Sequence, residues 1–306
     1  MTGGNFIITV AEPGSVVATD GEWDAVQAAA LEGAFTTPVN NKKAFGPVSG
    51  LFTEYAISPN PDAFMAWYVH GDGLTLQQRL IDNTPGYDKV MTLGPFSASG
   101  AEVDIVSTKE INTIADFDGL KFRAFGDWGK VLDDLGASVV GMPAGEVYEA
   151  LQRGVLDACE LSDIATNVAF GLHEVAKHWY YPGVHAPMAT GDFYVNKDEF
   201  NKLPPAYQKI LLEVRKATLA SNFTMMPVLN AEALPTALAA GVQFTETPLE
   251  VQAELAQRAD ALWQQYGAED PFFKEVYDNQ QAFAQSWAEI YMMMQPNVPM
   301  LLAHGK

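Results

Sequence analysis

The sequence is poor in the features that would place it in several broad classes. It has one cysteine, Cys159, so no intrachain disulfide can staple it. That excludes a disulfide scaffold and leaves the compartment open. Positive charge is scarce: 18 lysines and arginines stand against 38 aspartates and glutamates, for a net charge of −20. Nucleic acid and anionic membrane surfaces both attract clustered cations, so neither is an expected partner. No stretch of ~20 apolar residues is present to span a bilayer. The N-terminus shows no signal peptide. Catalytic signatures are missing too: there is no G-x-S-x-G elbow, no P-loop and no G-x-G-x-x-G opening a helix.

What is present describes an ordinary folded chain. Its 306 residues, 48% hydrophobic and 18% charged, are too many for one small core and suit two lobes. An acidic protein that binds an anion must do so with a local cation, because its overall field repels one.

The element order points to an α/β fold. Residues 5–10, NFIITV, read as a strand, residues 23–33 as a helix closed by Gly33, and AFTT as the next strand. A β-α-β pattern implies parallel strands and a right-handed crossover. Thr2-Gly3-Gly4 reads as the end of a helix, so a further strand and helix are expected upstream. Residues 40–95 are looser, with turn signals at SPNPD and HGDG. Order returns after residue 116. LKFRAFG, SVVGMP and VLDACE read as strands, and the helices between them close at Gly136 and Gly154. GDFYVN is a strand leading into a helix that begins near Pro204, GVQFTET is a strand, and two long helices follow. The Met run at 292–294 reads as a packed helix face or an interface.

In parallel α/β sheets, ligands collect where strands end and connections diverge. Arg123 lies near the end of KFRAFG and Glu160 ends VLDACE, so both side chains can face one crevice. The planar fork of an arginine suits a carboxylate. A structural salt bridge between Arg123 and Glu160 explains the same spacing equally well. Glu102 and Glu160 together would repel an anion unless a cation lay between them. Ca2+ suits such oxygen ligands, and Na+ suits them less. The alternative is that Glu102 is a solvated strand residue. His173 and His178 are five apart, which turns them off a common helix face and argues against a zinc pair. Cys159 reads as a structural thiol, and Trp179, Tyr180 and Tyr181 read as core.

Several long segments carry a resemblance to a known family. They are DFDGLKFRAFG, LGASVVGMPAGEVYEALQRGVLDACE, NVAFGLHEVAKHWYYPGVHAP and DFYVNKDEFNKLPPAYQ. The chain resembles the DctP family, the solute-binding proteins of TRAP transporters, from about TGGNF to residue 215 and more weakly beyond; its α-keto and α-hydroxy acid-binding branch is nearest. The resemblance implies two α/β lobes joined by hinge strands, a periplasmic-binding-protein-like fold with long C-terminal helices. It implies that Arg123 pairs with the ligand carboxylate and that Glu160 lies in the cleft. In the keto-acid binders that acid helps hold a metal, with the backbone of the next residue, here Leu161. Where those binders carry a glutamine, this chain has Glu102, which favours a divalent ion. Leu161 replaces their tryptophan, which leaves the ligand open. Asp163 and Asn167 follow on the same loop, His185 stands where the family often presents an aromatic, and Asp192 lies on a crossing strand where it can accept a hydroxyl hydrogen bond.

These readings combine into one expectation. Residues 1–100 with about 190–245 form lobe I, and 101–189 with about 246–306 form lobe II. The chain is expected to be no enzyme but a periplasmic TRAP solute-binding subunit. It closes by a hinge on a 2-oxo or 2-hydroxy acid, with Ca2+ or Na+ bridging the ligand. A sugar acid, a dicarboxylate or an aromatic acid is the alternative ligand, and an enzyme on the same fold is the alternative class. The expected partners are the TRAP membrane subunits and a second copy of the chain held through the C-terminal helices.

Overall fold

The computed structural model describes residues 2–53, 57–58 and 60–294. The SPNPD turn includes residue 59, and the last expected lobe runs on to 306; those portions lie outside the described residues. The strands are β1 (Gly33–Thr36), β2 (Val90–Ala98), β3 (Ile105–Ser107), β4 (Lys121–Arg123), β5 (Ser138–Val140), β6 (Ala158–Cys159), β7 (His178–Tyr181), β8 (Thr190–Asn196) and β9 (Gln243–Glu246). Among the described residues they form a three-stranded sheet, β1-β8-β2, and a six-stranded sheet, β5-β4-β6-β3-β7-β9.

The run from 121 to 160 folds as expected. The helix Gly126–Asp133 links β4 to β5, and Ala144–Gln152 links β5 to β6. Strands β5 and β6 pair parallel with β4 on its two sides. The first helix turns Trp128, Val131 and Leu132 into the core, and the second turns Val147 and Leu151. Gly136 and Gly154 end the two turns with φ of 91° and 69°, a conformation that favours glycine.

The start of the chain departs from expectation. Residues 5–10 form no strand, and Ile7 and Val10 are 77% and 87% exposed. Strand β1 pairs antiparallel with β8 along one edge, and among the described residues nothing pairs with its other edge. An apolar alternating segment needs a partner for its backbone groups, and residues 5–10 have none here. The expected parallel pair therefore does not form. The helix is also shorter, Glu22–Gln27, with Ala29 at a positive φ of 56°.

The chain passes from the small sheet to the large one between β2 and β3, and returns between β7 and β8. The two crossings run side by side. Ser99 N–H donates to Ala189 O at 2.9 Å, and Glu102 N–H to Ala186 O at 3.1 Å. The long helices also tie the sheets. Pro205–Ala239 packs on β2 and on the helix Ile164–Ala169; Leu249–Glu269 packs on Gly126–Asp133; Pro271–Met294 packs on Pro61–His70.

Beneath the small sheet lies a buried polar knot. The Asp192 carboxylate accepts from Tyr68 Oη at 2.7 Å, Gln77 Nε2 at 2.8 Å and Tyr194 Oη at 2.8 Å. Burial pushes its pKa up from 3.8 to about 6, although the three donors oppose that rise. A carboxyl raised in the folded state stabilises most when protonated. Its contribution is complete below pH 3.8 and is lost as pH climbs through about 6. That shift corresponds to about 3 kcal/mol. The stability of an Asp192→Asn variant, relative to the parent in urea titrations, should therefore improve by about 2–3 kcal/mol between pH 4 and pH 7. A difference that stays constant across that range would refute the raised carboxyl.

Candidate ligand and cation site

The connections between the sheets deliver the polar side chains to one place. Glu102 and Asp104 lie on the first crossing, two residues apart in an extended segment, so they share a face. His185 lies on the second crossing. Glu160 follows β6 directly and hangs over the end of the large sheet. All four are buried or nearly so.

A close approach of backbones sets this geometry. A side-chain carbon on Gly183 would lie 2.3 Å from the Glu102 carbonyl oxygen, so only glycine lets the crossings meet here. His185 Nε2 then faces Glu102 Oε2 at 3.2 Å, and Nδ1 faces Asp104 Oδ1 at 3.5 Å. Thr247 Oγ1 donates to the other Asp104 oxygen at 2.9 Å, and the imidazole stacks on Trp128 with centroids 5.6 Å apart. One ligand atom each from Glu102, Glu160 and His185 lie within 4.8 Å of one another.

Arg123 sits directly behind. Its Nη1 lies 3.2 Å from Glu160 Oε1 and also donates to the Glu160 carbonyl, while Nε donates to Met142 O at 3.2 Å. The guanidinium covers the Phe125 ring at 4.4 Å, and Phe125 N–H donates to Glu160 Oε1 at 3.0 Å. The structural salt bridge between Arg123 and Glu160, expected as the alternative to ligand binding, is therefore made. Among the described residues no acceptor bonds Nη2, which leaves that edge of the fork available.

The electrostatics show an unanswered demand. Burial raises the Glu102 pKa, and the neighbouring charges of Glu160 and Asp163 add to that, while His185 pulls it down. Burial alone would lower the His185 pKa, but the facing carboxylates of Asp104 and Glu102 outweigh it and raise it well above its ordinary value, although Nδ1 and Asp104 Oδ1 lack hydrogen-bonding geometry. One oxygen of Asp163 caps Thr166 N–H at 2.9 Å, and its other, Oδ2, is buried with no partner. Buried carboxylates in such surplus fit a cation, and the donor set is one that can hold it.

The cluster opens on a cavity of about 460 Å³. Val39, Asn40, Lys42 and Gly50 line one wall, and Phe125, Gly126, Asp127, Trp128, Glu160, His185 and Trp263 line the other. Lys42 crosses the gap to Asp127 at 2.7 Å. Burial would raise the Asp127 carboxyl, but Lys42 and the Tyr266 hydroxyl outweigh it and hold it below its usual range.

The structure thus gathers Arg123, Glu160, Glu102 and His185, with Leu161 beside them in sequence. Asn167 is fully buried and donates to Ser162 O at 2.8 Å, off the cavity wall. Asp192 belongs to the polar knot of the small sheet and does not line this cavity. His173 and His178 do not form the metal-like cluster. Sequence reasoning missed Asp104, Lys42, Asp127 and the aromatic walls. The alternation Glu102-Val103-Asp104 carries a readable signal for Asp104, because residues two apart in an extended segment share a face.

Comparison with known proteins agrees with this architecture. Residues 1–270 match the model of the DctP family, described as bacterial extracellular solute-binding protein, family 7. The chain is 32% identical over 286 residues to a monocarboxylate 2-oxoacid-binding periplasmic protein of Nostoc sp., covering 92% of this chain and 76% of that one. A TRAP transporter solute-binding protein from Bordetella bronchiseptica superposes with a TM-score of 0.90 at 24% identity, covering 100% of this chain and 90% of that one. At that identity the likeness concerns the fold; that protein forms a dimer with copurified calcium and picolinate in one site. A TRAP periplasmic solute-binding protein from Colwellia psychrerythraea, with calcium and pyruvate bound, superposes with a TM-score of 0.81 at 27% identity, covering 88% and 82% of the two chains. The fold and the cleft define a solute-binding protein of the TRAP class. The chain belongs to the DctP family. No helix among the described residues is long and apolar enough to cross a membrane.

Gly183→Ala tests the crossing directly. The added carbon must push the Glu102 backbone away, at a cost of about 1–3 kcal/mol in chemical denaturation. A variant as stable as its parent would show that the crossings tolerate separation.

Proposed function

We propose that this chain captures a 2-oxo or 2-hydroxy monocarboxylate in the cavity between its sheets and delivers it to TRAP membrane subunits. The observation that carries this reading is the buried meeting of Arg123, Glu160 and Glu102, of which Glu160 lines that cavity beside His185. A cation held by Glu102, Glu160 and the backbone of Leu161 would supply positive charge for the acid and its adjacent oxygen. Ca2+ is the first reading and Na+ the second. The free edge of Arg123 would take the other carboxylate oxygen, and Asp163 and Asn167 support the loop behind it. The likeness to the Nostoc 2-oxoacid binder and to the pyruvate-bound Colwellia protein supports the ligand class.

Binding is read as hinge closure. The expected lobes are residues 1–100 with about 190–245 and 101–189 with about 246–306; β9 (Gln243–Glu246), paired with β7 in the large sheet, moves the second boundary back to about residue 242. Closing excludes water and strengthens each charge pair inside. The Lys42–Asp127 pair spans the gap and favours the closed form. Phe125, Trp128 and Trp263 support a second reading, an acid carrying a flat aromatic group. The chain is read as doing no chemistry on its ligand. Its one thiol, Cys159, is buried and held protonated by a pKa that burial drives far up. Its place is read as the periplasm. Ile290 and Met292 to Met294 lie exposed on the last helix and favour a second copy as a further partner.

Calorimetry with pyruvate tests the site. Arg123→Lys keeps the charge and loses the fork, so affinity should fall by about ten- to a hundredfold. Stripping with EDTA should weaken pyruvate binding at least about tenfold, and added Ca2+ should restore it. Unchanged affinity in both experiments would remove the guanidinium and the cation from the site.

A further inference from the structure

The cavity walls also set what the far end of a ligand can be. Beyond Glu160 and His185, the charged groups that line the cavity are Lys42 on one wall and Asp127 on the other. These two engage each other at 2.7 Å, and among the described residues Asp127 is the one acid that Lys42 pairs with. Around them stand Val39, Asn40, Phe125, Trp128 and Trp263. The outer cavity therefore offers aromatic and apolar surface, one amide, and a cation that is already matched.

Asp127 is fixed in place and cannot swing aside. It stands in the first turn of the helix Gly126–Asp133, where the helix dipole favours a carboxylate. The Tyr266 hydroxyl donates to its Oδ1, and Lys130 Nζ lies 3.2 Å from the same oxygen. Lys42 takes Oδ2. Lys130 cannot stand in for Lys42 inside the cavity, because its side chain is 56% exposed and does not line it.

The pair stands within reach of a ligand tail. Asp127 lies two residues beyond Phe125, whose N–H holds the Glu160 carboxylate at 3.0 Å. Two Cα steps span no more than about 8 Å, so a five-carbon acid seated at Arg123 and Glu160 extends toward Lys42 and Asp127. A second carboxylate there would shed its water beside a fixed negative charge, with the nearest cation already taken. A methyl or flat tail would meet the apolar walls instead. Discrimination of this kind comes from a repulsive element as much as from an attractive one. We propose that Asp127 is a specificity-determining residue: by holding Lys42 it restricts the cleft to monocarboxylates and rejects acids that carry a second carboxylate at the far end. The inference rests on reading the cleft as a 2-oxo acid site and names the residue that narrows its ligands.

The test compares 2-oxovalerate with 2-oxoglutarate, five-carbon 2-oxo acids that end in a methyl and in a carboxylate. Calorimetry on the full chain with added Ca2+ gives both affinities, and their ratio on one protein cancels any change in closure. The parent should prefer 2-oxovalerate by at least about tenfold. Asp127→Asn frees Lys42 and should shift that ratio toward 2-oxoglutarate by at least about tenfold. Adding Lys42→Met to that variant should restore the preference for 2-oxovalerate. Should Asp127→Asn fail to fold, Lys42→Met alone decides: it leaves Asp127 without its partner across the cavity and should raise the parent's preference at least about threefold. A parent that binds the two acids equally, or a ratio indifferent to these substitutions, overturns the inference and leaves the 2-oxo acid site standing. A parent that binds neither acid, nor pyruvate, overturns both.

Discussion

Four carboxyl groups, those of Glu102, Asp104, Glu160 and Asp163, are buried near one another with the Arg123 guanidinium against only one of them, Glu160, and burial makes unpaired charge expensive. That imbalance governs the rest of the site. Arg123 is committed through Nη1 to the Glu160 segment and through Nε to the Met142 carbonyl, and His185 is drawn in between Glu102 and Asp104. A cleft so built attracts a cation first. The cation would then turn an acidic protein, with a net charge of −20, into one that can receive an organic anion.

The topology explains why these groups meet. Glu102 and His185 stand on two of the three segments of chain that pass between the sheets, and Glu160 stands where β6 ends. Motion of one sheet against the other must bend the crossings, so the ligand site and the hinge share residues. Gly183 carries that arrangement, because any larger residue would force the crossings apart. The pair Lys42–Asp127 joins the opposite walls farther out. In the proposed closure, binding and closing would be one event, with the cleft's charges gaining strength as water leaves.

The legible part of the sequence was the local part. The β4–β5–β6 unit shows its strands by composition, its helices by apolar spacing and their ends by glycine, and these signals are enough to set Arg123 and Glu160 at one crevice. Residues 5–10 misled because alternation describes a strand without supplying its partner. Asp192 misled because a place on a crossing strand does not tell which face the side chain takes; Tyr68 and Gln77, more than a hundred residues earlier, claim it. The role of His185 beside Asp104 was hidden for a related reason. It depends on two segments about eighty residues apart lying side by side, which no window of sequence displays. The family resemblance supplied the class and the position of the cleft, but not the imidazole turned into it.

The account stands or falls on what occupies the gap between Glu102 and Glu160 when an acid is bound. A crystal structure of the protein with pyruvate, recorded with anomalous data above the absorption edges of candidate metals, measures this directly. The account predicts one metal peak bonded by both carboxylates and touching the ligand, with the sheets closed over it. A bound acid with no ion in that gap, its carboxylate resting elsewhere in the cleft, would contradict it.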